Sequence, residues 1–237
     1  MTGYKKAFRK AFPYTIPVLT GYLFIGIAFG VMFEEKGYSF LWAILMSLLV
    51  FAGSGQYLAV NFFVPGISFV QIFILILMVN IRHIFYGISL LEKFNHMGKK
   101  RWYLIFGLTD ETYSLLCTTK TPKDVKEDQF LFAITFLNQC YWVIGSAIGG
   151  LAGTMLTFNS KGIEFAMTAL FVVIFVEQWM DQKNRIPAAI GVVCACICLQ
   201  IFHVGGFVLP SMLLIIMILL CSRKRLEKGV DDGCQSV

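Results

Sequence analysis

Two short stretches place charge in apolar surroundings, Asn80-Ile81-Arg82-His83 and Asp110-Glu111. An arginine can grip a carboxylate through two N–H groups. A buried aspartate or glutamate can bind an ammonium group or carry a proton, because burial raises its pKa. The two stretches lie in the apolar runs 67–91 and 102–118. Charge at a bilayer centre costs at least ~2.5–3.5 kcal/mol on insertion scales, so such residues face a cavity, a partner or a ligand.

On an unbroken helix Asn80 and His83 share a face, and Arg82 points about 160° away from Asn80. Arg82 then has two readings: it snorkels to the headgroups, or it pairs with an intramembrane acid. Asp110 and Glu111 are adjacent, so they point in different directions and have separate partners. One pairs with Arg82, and the other binds an amine or carries a proton; the alternative is two static ion bridges.

A third stretch, Phe51-Ala52-Gly53-Ser54-Gly55-Gln56, holds Gly53, Ser54 and Gly55 in a row. Glycine costs about 1 kcal/mol relative to alanine in a helix, which weakens this one. Non-helical backbone at membrane depth survives only where it is buried in protein or lines a cavity. A broken helix offers free amides to a carboxylate. The competing reading is close packing of small residues, with Gln56 bonded across helices. Asn138 and Trp142 share a face four residues apart, beside Gln139. Glu164 suits a helix N-terminus, Glu177 and Gln178 fit an interfacial position, and His203 sits in a short loop and is assigned no role.

The elements that position these residues follow from composition. Of 237 residues, 57% are hydrophobic and 14% charged, against about 25% charged in a soluble domain. Mean hydropathy is +0.73. The chain is an all-α polytopic membrane helix bundle with about eight hydrophobic segments: 14–33, 38–64, 67–91, 102–118, 129–156, 163–180, 186–202 and 206–222. Some are broken or re-entrant, and 38–64 reads equally as one crossing or a re-entrant pair. Residues 1–222 form one transmembrane domain, and 223–237 a short basic, then flexible cytoplasmic tail. The run after Lys5, Lys6, Arg9 and Lys10 is too long for a signal peptide's core and reads as a retained first helix.

With both termini inside and eight crossings, thirteen Lys and Arg fall inside and six outside, in line with the positive-inside rule. The misfit is Lys99-Lys100-Arg101, which lands outside. The net charge of +6 therefore reads as topology signal rather than nucleic-acid binding. The seven cysteines show no CxxC and no zinc spacing, so neither disulfide, metal nor other cofactor is expected. Tyr22-x3-Gly26-x3-Gly30 matches Tyr141-x3-Gly145-x3-Gly149. This is either an internal repeat, with both helices crossing in the same direction, or a glycine packing pattern.

Pro17-x3-Gly21-Tyr22 leading to Gly26 and Gly30, then Phe51-Ala52-Gly53-Ser54-Gly55-Gln56, Asn80-Ile81-Arg82-His83 with Tyr86 and Leu90, and Thr109-Asp110-Glu111-x-Tyr113 together resemble the AzlC family. The resemblance runs from about Phe12 to Leu220. It implies a permease in a prokaryotic plasma membrane that moves branched-chain amino acids outward with a small AzlD-type membrane subunit. The polar residues fit that cargo, which needs a cation, an anion and an apolar pocket. From the argument on charge at membrane depth, the substrate-binding or coupling residues are Gly53, Ser54, Gly55, Gln56, Asn80, Arg82, His83, Asp110, Glu111, Asn138 and Trp142. The leading function is a secondary, proton-coupled carrier rather than an enzyme. The runner-up readings are a carrier of another small amino or organic acid, and a scaffold or receptor that transports nothing.

Overall fold

The computed structural model describes residues 3–62, 68–155, 185–202 and 213–222, together with 165, 168–169, 172, 175–176, 179–180, 210 and 211. All regular structure among them is helical: α1 (Gly3–Glu35), α2 (Phe40–Leu49), α3 (Gly53–Val60), α4 (Phe69–Asn80), α5 (Arg82–Ser89), α6 (Leu91–Phe94), α7 (Lys100–Phe106), α8 (Asp110–Thr118), α9 (Glu127–Met155), α10 (Arg185–Phe202) and α11 (Leu213–Ser222). The chain divides into two compact units, Met1–Met167 and Thr168–Val237.

In the first unit, α1 and α9 have 33 and 29 residues. Each exceeds the roughly 30 Å hydrocarbon core of a bilayer. They lie side by side and parallel, because contacts advance together along both. Tyr4 meets Phe132, Phe8 meets Phe136 and Tyr22 meets Trp142, and further on Gly26 faces Gly145 and Glu34 faces Gly153. A Cβ on Gly145 would sit 2.9 Å from the Leu23 carbonyl oxygen and 3.1 Å from the Gly26 Cα. The repeated Tyr-x3-Gly-x3-Gly pattern therefore forms the seam between these two helices, which is the packing reading of it. Both helices run in the same direction.

Two of the expected crossings are hairpins. α2 starts beside Gly150, places Ser47 on Ser146, and ends with the Leu48 carbonyl accepting from Gln139 Nε2. The chain then turns at Phe51, a non-glycine residue at φ +42°. Such backbone costs on the order of 1–3 kcal/mol, and it is held by burying Phe51 against Phe106. α3 returns toward its starting end, from Gly53 on the Trp142 ring to the Tyr57 hydroxyl on the Ile25 carbonyl. With 10 and 8 residues, these helices reach only about 15 and 12 Å.

α7 and α8 insert from the opposite end. Lys100 at the start of α7 pairs with Asp128 and lies over the Tyr4 ring. Tyr103 then donates to Gln139, and Gly107 meets Thr135. After the break at 107–109, α8 runs back until the Leu116 carbonyl accepts from Lys93, which also lies 3.9 Å from Glu127. The 102–118 run therefore enters and leaves at one end, and Lys93, Lys99, Lys100 and Arg101 lie at the same end as the N-terminus. This corrects their expected position on the opposite side. A hydropathy window averages across a three-residue break and reads one continuous span. Lys6 pairs with Asp124 at 3.0 Å at that end, which holds this exposed carboxyl below the usual carboxylate range. Among the described residues through Met155, eleven Lys and Arg sit there and Lys36 sits at the other end.

α4 and α5 form a pair bent by 43° at Ile81 that is long and apolar enough to span. With α1, α9 and α10, that makes up to four candidate spans among the described residues, so eight crossings are not what these residues contain. In the second unit, Ala188, Cys194 and Cys198 form the buried stripe of α10, with the two cysteines behaving as small hydrophobes. Glu164, Glu177, Gln178 and His203 lie outside the described residues, as do parts of 163–180 and 206–222.

Candidate functional site

The hairpin tips meet near the middle of α9. Gln139 ties them together, accepting from Tyr103 at 2.5 Å and donating to the Leu48 carbonyl at 3.2 Å. The first turns of α3 and α8 and the bend at Ile81 converge on this level, which is what brings the sequence-predicted residues into one cluster.

Asp110 and Glu111 do not sit mid-helix, as a continuous 102–118 span requires; they are the first two residues of α8. Thr109 is the N-cap, its hydroxyl accepting from the Thr112 amide at 3.2 Å. An N-cap threonine followed by two acids is a favourable helix start. The two acids diverge, as adjacent helical positions must. Asp110 Oδ2 lies 3.0 Å from Arg82 Nη1, and its Oδ1 accepts from Tyr86 at 2.5 Å. Glu111 Oε2 instead accepts from the Tyr22 hydroxyl at 2.6 Å.

Arg82 also donates from Nη2 to Ser54 Oγ at 3.1 Å, so it joins α3 to α8 rather than snorkelling. Its Nε is buried without a partner. Asn80 and Arg82, on either side of the bend at Ile81, both reach α3. A Cβ on Gly55 would meet Asn80 Nδ2 at 2.5 Å, so only glycine admits the Asn80 amide here. Asn80 Nδ2 donates to the Ile76 carbonyl, and its Oδ1 is buried without a partner. His83 turns its Nδ1 to the Asn80 carbonyl at 3.0 Å and its ring to Tyr86. Among the described residues it bonds neither Asp110 nor Glu111.

The remaining predicted residues form the wall. Trp142 donates to Gln56 Oε1 at 3.0 Å, and Gln56 Nε2 donates to Ser47 at 3.2 Å. Gln56 is fully buried, so its amide fastens α3 to α2 and α9. Gly53 lies against the Trp142 ring, where a Cβ would come within 3.0 Å. Asn138, also fully buried, donates to Thr112 at 3.0 Å, and its Oδ1 has no partner.

Sequence reasoning missed Tyr22, Ser54's tie to Arg82, Tyr86, Thr109 and Thr112 as members of this cluster. A signal was present: a tyrosine in an apolar run needs a partner for its hydroxyl, and Thr109-x-x-Thr112 is a capping pattern. The two helix starts also differ. Ala52, the N-cap of α3, gives no side-chain bond, and α3 has no acid in its first turn. Its leading amides therefore carry the positive end of the helix toward Ser54 and Arg82. Among the described residues no group of three His, Cys, Asp or Glu could hold a metal ion. The arrangement can hold one anionic and one cationic group at mid-depth, against Arg82 and Asp110.

The AzlC protein family matches residues 17–156, which spans the whole cluster. A Bacillus subtilis protein named branched-chain amino acid transport protein AzlC is 46% identical over 94% of this chain and 88% of its own length. A Haemophilus influenzae membrane protein is 41% identical over 96% of this chain and 93% of its own length. The Escherichia coli inner membrane protein YgaZ is 25% identical over 77% and 85%. No solved structure matches the chain.

Proposed function

The chain belongs to the AzlC family, and from that premise we propose that it is a secondary carrier that exports branched-chain amino acids. The observation that carries this reading is the Arg82–Asp110 pair at 3.0 Å, set where two opposed hairpins and a bent span meet. A zwitterion brings one charge of each sign. Its carboxylate takes Arg82, Ser54 and the leading amides of α3, and its ammonium takes Asp110. Exchange of the internal pair for the substrate leaves no charge stranded at membrane depth, which would otherwise cost several kcal/mol. The B. subtilis relative's name supports leucine, isoleucine and valine as the cargo.

Transport is outward and coupled to protons, with a small AzlD-type subunit completing the carrier in the plasma membrane. The end of the first unit that holds eleven Lys and Arg is cytoplasmic. Eleven against one among residues 3–155 is a stronger bias than the eight-crossing arrangement gives, and the Lys99–Arg101 misfit disappears.

The test is leucine, isoleucine and valine counterflow into proteoliposomes holding the full chain, alone and with the small subunit, beside tolerance of these amino acids in a deletion strain. Saturable counterflow abolished by Arg82→Gln supports the reading. No counterflow together with unchanged tolerance sinks it, and flux of a different amino acid alone replaces the cargo.

A further inference from the structure

Glu111 stands apart from the Arg82–Asp110 pair and begins a chain of hydrogen bonds. Its Oε2 lies 2.6 Å from the Tyr22 hydroxyl, which lies 2.6 Å from Thr109 Oγ1. Thr109 Oγ1 lies 2.9 Å from Thr112 Oγ1, and Thr112 Oγ1 lies 3.0 Å from the Asn138 amide. The groups come from α1, α8 and α9. Thr109, Thr112 and Asn138 are buried, the last two with no exposed surface, and Asn138 Oδ1 has no partner.

Counting protons gives this chain two arrangements. Each hydroxyl has one proton, so the Tyr22 hydroxyl donates to Glu111 or to Thr109 but not to both. With Glu111 ionised, donation runs from Asn138 Nδ2 to Thr112, from Thr112 to Thr109, from Thr109 to Tyr22, and from Tyr22 to the carboxylate. In this sense Asn138 Oδ1 is left over, as it is in the structure, whereas the Tyr22-to-Thr109 and Thr109-to-Thr112 donations of the structure belong to the opposite sense. With Glu111 protonated, it donates to Tyr22, and each following donation reverses. The Thr112 proton then needs an acceptor, and turning the Asn138 amide over supplies Oδ1. The chain therefore has two senses, and the protonation of Glu111 selects between them.

We infer that Glu111 is the proton-carrying group of this protein, and that its protonation is relayed through Tyr22, Thr109 and Thr112 to Asn138 on α9. The step forms one O–H bond on the carboxylate with a proton from water at one face, and breaks it to water at the other. The charged and titratable groups facing Glu111 are Tyr22 from α1, Asp110 from its own helix, and Arg82 and Tyr86 from α5, while α9 contributes the neutral Asn138. The role as a coupling site rests on the transport reading above, but the identity of the protonating group does not.

Two measurements separate them. In the first, infrared difference spectra of the purified full chain are taken across a pH titration. The protonated-carboxyl C=O band is expected in the wild type and in Asp110→Asn, lost in Glu111→Gln, and shifted in pH midpoint in Tyr22→Phe and Asn138→Leu. A band that persists in Glu111→Gln overturns the inference, whatever the cargo. In the second, leucine flux driven by a pH gradient is expected to fall in Glu111→Gln to the level of empty liposomes. Gradient-driven flux in Glu111→Gln that matches the wild type also overturns it. Wild-type liposomes that move no amino acid at all would refute the transport reading and leave the spectroscopic result standing.

Discussion

Replacing Asp110 with asparagine tests whether Arg82 and Asp110 act as a pair. Asparagine can still accept from Tyr86, so the change removes charge and little else. Opposite charges about 4 Å apart attract by roughly 4 kcal/mol at an effective dielectric of about 20. Both side chains keep about a quarter of their surface exposed, 27% for Arg82 and 28% for Asp110, and that exposure screens the attraction. A coupling of about 2–3 kcal/mol remains, below the ~3–5 kcal/mol cost of breaking a fully buried pair. For a chain of this size that amounts to a Tm lower by roughly 4–12 °C. The assay is thermal unfolding of the wild type, Asp110→Asn, Arg82→Gln and the double variant in one detergent. The single variants should each lose stability, and the double variant should lose far less than their sum, because it leaves no unpaired charge. Purely additive losses would refute the pairing.

Other outcomes follow from the same geometry. Gly145→Ala puts a Cβ 2.9 Å from the Leu23 carbonyl and should cost about 1–3 kcal/mol by forcing α1 from α9, read as a lower Tm, whereas Gly21→Ala, with open space around it, should not. Gln56→Leu leaves the Trp142 indole N–H and Ser47 short of a partner and should cost about 1–3 kcal/mol; a red or blue shift in tryptophan emission reports the loss directly. Single cysteines at Lys93, Lys99 and Lys123, in a background without native cysteines, should all react with an impermeant maleimide from the side that labels Lys5→Cys. Labelling of the Lys93 and Lys99 positions from the opposite face would restore the crossing of 102–118 and remove the hairpin.

The membrane class, the long helices α1 and α9 and the residues of the cluster are legible in the sequence, because each leaves a signal in composition or residue type. The hairpins are less so. Hydropathy registers Leu108 and Phe51 as apolar wherever the backbone goes, so the breaks at 50–52 and 107–109 vanish in a window average. The Thr109-Asp110-Glu111 start of α8 could have been found as a cap. The turn at Phe51 could not, since its positive φ is held by tertiary packing against Phe106. Ile81 shows the consequence for side chains. Across a bend of 43° there, Asn80 and Arg82 both reach α3, a meeting that the period of an unbroken helix does not foretell.

Why the protein uses two opposed hairpins, rather than two more crossings, follows from where helix ends carry charge. A spanning helix leaves its ends in the headgroups, where water screens them. A hairpin with a short returning helix puts an N-terminus, worth about half a positive elementary charge, at mid-depth, where little screens it. Two such ends alone would repel each other and Arg82. α8 offsets its own with Asp110 and Glu111 in its first turn, whereas α3 has no acid there and no side-chain cap. With Glu111 ionised, the two helix ends, Arg82 and the two acids come close to neutral. With Glu111 protonated, the cluster carries about one positive charge, concentrated where the α3 amides and Arg82 lie. Protonation of Glu111 and binding of an anion beside Arg82 thus act on one another through a field built from helix ends, without Glu111 having to touch the anion.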